Sequence, residues 1–162
     1  MRWINLGSTP GIPQNNGLAE RMVRRVKEGG RTNLLQSGLP YAWWTYAVQH
    51  HCAARNIQVV DGDRPYHERH KDGHCRAVQI PFGALIHFAP TPRGGSRGPS
   101  FDAKKVPGLF FGYSVHPGGR WAGQRRVMLW DALLREPETL PNSASIQVVD
   151  TIFPPPVSYT HL

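Results

Sequence analysis

Gly108-Leu109-Phe110-Phe111-Gly112-Tyr113 is one of four short apolar runs in the second half of this 162-residue chain. The others are Leu85-Ile86-His87-Phe88, Arg126-Val127-Met128-Leu129-Trp130 and Ile146-Gln147-Val148-Val149. Between them lie turn-rich stretches such as Thr91-Pro92-Arg93-Gly94-Gly95-Ser96-Arg97-Gly98-Pro99. Short runs at this spacing, separated by Gly and Pro, predict β-strands of a small barrel spanning residues 81–153. Before it, residues 61–80 are polar and broken by Gly62, Pro65 and Gly73, and read as a linker.

Residues 1–60 carry helical signals. A helix is expected to begin near Asn16 or Gly17, with Asn15 and Asn16 as N-caps and Glu20 in the first turn, where the helix dipole favours a negative charge. Leu18, Met22 and Val26 recur every four residues as one apolar stripe. Glu20, Arg24, Lys27 and Arg31 share another face. Gly29-Gly30 should weaken the middle by roughly 1 kcal/mol each and invites a kink. Gly38-Leu39-Pro40 ends this helix, with Gly as cap and Pro as stop. A second helix follows from about Pro40 to Ile57, with Trp43, Ala47, Cys52 and Ala54 on a broad apolar face. The pair Trp43-Trp44 reads most simply as packing between the two helices.

Composition narrows the classes. The chain is 40% hydrophobic and 19% charged, which allows a packed core. Its net charge of +8 is unevenly spread: residues 1–130 hold 18 Lys/Arg and 7 Asp/Glu, whereas residues 131–162 hold 1 and 4. A basic body points to a polyanion partner, with nucleic acid first. No run of about 18 apolar residues is present to span a membrane, and the opening residues lack the apolar stretch of a signal peptide. Two cysteines, Cys52 and Cys75, make no disulfide framework, and a reducing compartment fits them.

Pro13-Gln14-Asn15-Asn16-Gly17-Leu18-Ala19-Glu20-Arg21 resembles the loop-helix signature of integrases that use an Asp-Asp-Glu triad, most closely those of copia-type retrotransposons. In that family the loop leads into a helix whose first turn carries the last catalytic carboxylate. Leu34-Leu35-Gln36-Ser37-Gly38-Leu39-Pro40 followed by Trp43 or Trp44 resembles the family's next helical segment, and Pro65-Tyr66 the close of its core. Pro81-Phe82-Gly83 and Pro107–Tyr113 look like the SH3-like barrel that follows. The resemblance covers roughly residues 8–153. It implies an α+β chain: a two-helix remnant of an RNase H-like core, then the barrel.

The implied chemistry is DNA strand transfer by two Mg²⁺ ions held by three carboxylates, with Glu20 as a metal ligand and further integrase protomers as partners. No small-molecule cofactor is implied. Asn16, Arg21, Arg24, Lys27 and Arg31, with Lys104 and Lys105 on the barrel, would meet DNA. The chain departs from the family at Val23, where an Asn is usual. No Asp precedes Asp61, so the two upstream aspartates have no counterpart, and neither does the sheet that carries them. The expectation is therefore a truncated or mis-started reading frame, inactive alone, whose parent works in the nucleus or in a cytoplasmic particle. Two alternatives stand beside it: a non-enzymatic basic module that binds nucleic acid through the barrel, and a fragment without a role. For the helix itself the plainer reading is a helix-start acid with a solvated basic face.

Other constellations are weaker. His67, His70, His74 and Cys75, with His50, His51 and Cys52 upstream, offer zinc-type ligands, but not at the spacing of a standard finger. Pro117-Gly118-Gly119-Arg120 reads as a turn and lacks the Lys-Ser/Thr of a phosphate loop. Val157-Ser158-Tyr159-Thr160-His161-Leu162 resembles a translated sequencing adapter, so residues 154–162 are expected as a disordered tail and set aside from the fold.

Overall fold

The computed structural model describes residues 17–59, Gly62, 65–71, 77–90, 105–135 and 146–153. The caps Asn15 and Asn16, the acids Asp61 and Asp63, His74, Cys75, Lys104 and the tail from 154 lie outside them. In order come α1 (Gly17–Ser37), a 3-10 turn (Tyr41–Trp43), α2 (Trp44–Ile57), α3 (Pro65–His70), β1 (Leu85–Phe88), β2 (Val106–Val115), β3 (Trp121–Leu129), α4 (Trp130–Arg135), β4 (Ile146–Val149) and β5 (Ile152–Phe153). The class is α+β. No helix among the described residues is long and apolar enough to cross a membrane.

The strands pair antiparallel in the order β4-β3-β2-β1-β5. Among the described residues β4 and β5 are the two edges of an open sheet, and the closure expected from strand spacing is not seen there. Trp130, expected at the end of a strand, instead starts the short helix α4. Pro65–His70, expected as linker, is also helical.

Central strand β2 decides the packing. All six residues from Gly108 to Tyr113 are buried, so the strand is covered on both faces. Leu109 and Phe111 pack with Trp43, Ala47, Phe82 and Met128 in one core. Phe110 and Tyr113 pack with Ile57, Ile86, Phe88, Val127 and Val149 in the other. Strict alternation would put Tyr113 on the face of Phe111. An irregularity in the β2–β3 register between Phe110 and Gly112 inserts a residue and returns Tyr113 to the face of Phe110. Gly112 has a φ of 124°, a conformation that side chains disfavour.

Helix α2 crosses β2 at that irregularity. A Cβ on Gly112 would lie 3.5 Å from the His50 Cβ. Trp43 and Ala47 enter one core and Ile57 the other, so a single helix contributes to both. Trp43 is wholly buried, with its ring 4.7 Å from that of Phe111, while Trp44 is 57% exposed. The tryptophan pair therefore divides: Trp43 anchors helix to sheet and Trp44 faces out. The helices and the strands share both cores.

His50 holds the crossing. Its Nε2–H donates to the Ile80 carbonyl at 2.9 Å, and its Nδ1 accepts from the Asn33 amide at 3.2 Å. Asn33 also donates to the Ala47 carbonyl at 3.0 Å, tying α1 to α2. The imidazole stacks on Tyr113 at 6.0 Å and meets the rings of Phe82 and Phe110. The Tyr113 hydroxyl in turn donates to the Val78 carbonyl at 2.7 Å and accepts from the Ile80 N–H at 3.2 Å. One neutral imidazole thus joins α1, α2, β2 and the segment before β1. Burial pushes its pKa below the usual 6.5, against the opposing pull of the Ile80 carbonyl and with a smaller push from His51.

Two outcomes test this arrangement. Trp43→Ala should cost about 3–5 kcal/mol, and hydrogen exchange should show α2 and β2 losing protection together. Protection retained in β2 while α2 opens would show that helix and sheet do not unfold as one unit. Because folding lowers the His50 pKa, the unfolded chain binds more protons as pH falls below 6.5. Stability should be full above that value and decline as pH falls through it, with His51, also lowered, acting in the same direction. In urea titrations from pH 8 to pH 5, His50→Gln should flatten the slope; an unchanged slope would place the titrating group elsewhere.

Candidate nucleic-acid interface

Helix α1 starts at Gly17 and ends at Ser37, where Gly38 takes a φ of 67° as its C-terminal cap. It runs through Gly29-Gly30 without a break. The reason is packing. A Cβ on Gly30 would lie 2.6 Å from the Val48 Cγ2, and one on Gly29 would overlap the His51 ring. The two glycines let α1 and α2 approach, and the close packing between the helices offsets their poor helix propensity.

Before Gly29 the helix stands largely free. Every residue from Gly17 to Arg25 is exposed, including Leu18 and Met22 of the apolar stripe. Glu20, Arg24, Lys27 and Arg31, with Ala19, Val23 and Glu28, line one open groove along this half. Their spacing of four, three and four residues keeps the three cations in a row, spread over about 10 Å of helix axis at 1.5 Å per residue. Glu20 lies at the N-terminal end of the row, and the apolar Val23 lines the groove beside it.

Of the other residues singled out, Arg21 is exposed on the same helix but does not line the groove. Lys105 is exposed just before β2, its ammonium 3.6 Å from the centroid of the Phe153 ring, and also lies outside the groove. Asn16 and Lys104 fall outside the described residues. His67 and His70 are on α3, with the His70 ring 4.5 Å from that of Tyr66. Among the described residues no three His, Cys, Asp or Glu side chains stand close enough to hold a metal. Cys52 is a free thiol whose pKa burial raises. His50 and His51, weighed as zinc ligands, go to the helix crossing and the helix–helix contact instead.

Sequence reasoning missed the role of His50, because nothing in its spacing distinguishes a buried, doubly bonded imidazole from a surface one.

The chain is 30% identical over 135 residues to the retrovirus-related Pol polyprotein from transposon TNT 1-94 of Nicotiana tabacum. The match covers 80% of this chain but only 9% of that polyprotein's length. It supports a retrotransposon polyprotein origin. No family model matches the chain, and no solved structure matches it.

The groove depends on α1 keeping its seat on α2. Gly29→Ala should gain about 1 kcal/mol of helix propensity but force the His51 ring or the helix aside at about 1–3 kcal/mol. A net loss in urea denaturation is expected, and a net gain would show that the helices do not meet there.

Proposed function

We propose, on the premise of a retrotransposon polyprotein origin, that this chain is part of a copia-type integrase and that its own contribution is to hold DNA by the phosphate backbone. The observation that carries this reading is the exposed row of Arg24, Lys27 and Arg31 in one groove of a helix that projects beyond its packing. Cations in a row on a rigid element suit a linear polyanion, and they release counterions when it binds. The helices represent the C-terminal part of the catalytic core. The antiparallel sheet, with its irregular β2–β3 pairing, represents the SH3-like module after it.

In the complete enzyme Glu20 is one of three carboxylates that hold Mg²⁺ for strand transfer, and the other two have no counterpart in this chain. Among the described residues the donors do not fit a two-metal centre. Glu28, the other carboxylate of the groove, is two turns from Glu20, about 12 Å along the axis, with Arg24 between them. Strand transfer is therefore not assigned to these residues alone. The work takes place beside further protomers, in the nucleus or a cytoplasmic particle.

Binding of duplex DNA should be weak, indifferent to sequence and steeply salt-dependent. Lys27→Ala should lower the log–log salt slope by about one and weaken all sequences alike. Glu20→Gln should modestly tighten binding, since without metal the carboxylate only repels phosphate. Fluorescence anisotropy across a salt series decides the matter. Salt-independent binding, or indifference to both substitutions, would remove this helix face from the interface.

A further inference from the structure

Arg126 stands where the register of the sheet calls for an apolar side chain. It pairs with Val148 across β3 and β4, as Met128 pairs with Ile146, and with Gly112 across β2 and β3. Residues paired on neighbouring strands point to one face, so Arg126, Met128, Ile146 and Val148 share a face. Met128 is buried on it with Leu109, Phe111 and Trp43, which makes it the face that α2 covers. A charge turned inward can guard an exposed edge strand, but the edge here is β4 and Arg126 lies one strand in from it.

Helix α2 crosses the sheet at β2, against Gly112, and the part of the face over β3 and β4 lies beside the helix. There an open groove of about 370 Å³ separates Thr45, Tyr46 and Gln49 of α2 from Arg126, Ile146 and Val148 of the sheet. The Arg126 guanidinium donates to the Gln49 Oε1 and so joins the two walls. This groove is distinct from that of α1. Helix α2 turns Val48 and His51 to α1, and no residue lines both grooves.

The lining is rich in donors. The bond between the walls occupies the carbonyl of the Gln49 amide and one guanidinium N–H. The Gln49 NH₂ and further guanidinium N–H groups remain as donors, with the hydroxyls of Thr45 and Tyr46 beside them. No carboxylate lines this groove, whereas Glu20 and Glu28 line that of α1. Ile146 and Val148 supply an apolar side, with Val148 45% exposed. A fitting ligand presents anionic oxygens on one side and carbon on the other. The sugar–phosphate backbone does both, and Arg, Thr, Gln and Tyr are among the side chains through which proteins hold it.

We propose that the groove between α2 and the β3–β4 pair holds a second stretch of DNA backbone. A phosphate meets Arg126, Gln49 and the two hydroxyls, and the adjoining sugar lies against Ile146 and Val148. The site rests on the nucleic-acid reading for its ligand but shares no residue with the α1 groove.

The test uses the full chain, duplex DNA and two readouts. Titrating DNA into chain labelled at its Ile and Val methyl groups should shift the NMR signals of Ile146 and Val148. Those of Ile86, buried in the other core, should stay in place. Arg126→Gln should lower the log–log salt slope of DNA binding by about one, and Arg126→Lys, which keeps the charge, should retain most of the slope. Lys71→Gln, which removes an exposed cation just after α3, is the control and should change the slope far less. Ile146 and Val148 methyl signals that DNA leaves in place overturn the site, and this measurement needs no variant to fold. A slope that Arg126→Gln lowers no more than Lys71→Gln does also overturns it. Either result beside a lowered slope in Lys27→Ala leaves the α1 interface standing, whereas a chain that binds no DNA loses both. Shifted methyl signals and a lowered slope in Arg126→Gln, with Lys27→Ala silent, keep this site and remove α1 from the interface.

Discussion

The neutral imidazole of His50 is the constraint on which the rest of the structure depends. It is 5% exposed and lies where the two cores meet, among Phe82, Phe110 and Tyr113. A polar ring in that place is tolerable only with both nitrogens bonded. Asn33 and the Ile80 carbonyl meet that need from two directions. The first partner seats α1 on α2 and the second fixes the segment that leads into β1. Removing either would leave a buried nitrogen unsatisfied, which typically costs about 1–3 kcal/mol.

The glycines make the crossing possible. Gly112 accepts the backbone conformation that restores Tyr113 to its face where α2 passes over β2. Gly29 and Gly30 let the paired helices close on His51 and Val48. The packed length of α1 is consequently its second half. The first half extends past the joint and carries its charges into solvent, with Leu18 and Met22 uncovered among the described residues. A helix fixed at one end and free along the other offers its side chains to a large ligand without disturbing a core.

Charge is separated to match. The buried histidine is kept neutral by burial, whereas the arginines and lysine of α1 remain in water on two surfaces of one helix. Glu20 keeps its place in the first turn, favoured by the helix dipole whether or not a metal is near. The row of cations attracts an anion, and the carboxylates of Glu20 and Glu28 beside it oppose that attraction. The proposed interface is accordingly one of backbone attraction, which carries no sequence information by itself.

Much of the local structure was legible in the chain. The glycine and asparagine signals place the start of α1 at Gly17, the apolar runs give β1 and β4 at Leu85–Phe88 and Ile146–Val149, and the helical pattern ends at Ile57. These follow from residue preferences and short periods, which act over a few neighbours. The loop-helix motif around Glu20 was legible in the same way, as a run of adjacent residues. What the sequence could not decide is which surfaces meet. The helical pattern marks an apolar face on α2 but not that Trp43, Ala47 and Ile57 serve two cores, and it gave Cys52 and Ala54 a place that His50 occupies. Strand spacing suggested closure, yet the described sheet is open, and the register irregularity that reverses Tyr113 has no signature beyond one glycine. Gly29 meets His51 and Gly30 meets Val48 where two antiparallel helices touch, and close approach between distant segments is a property of the folded chain.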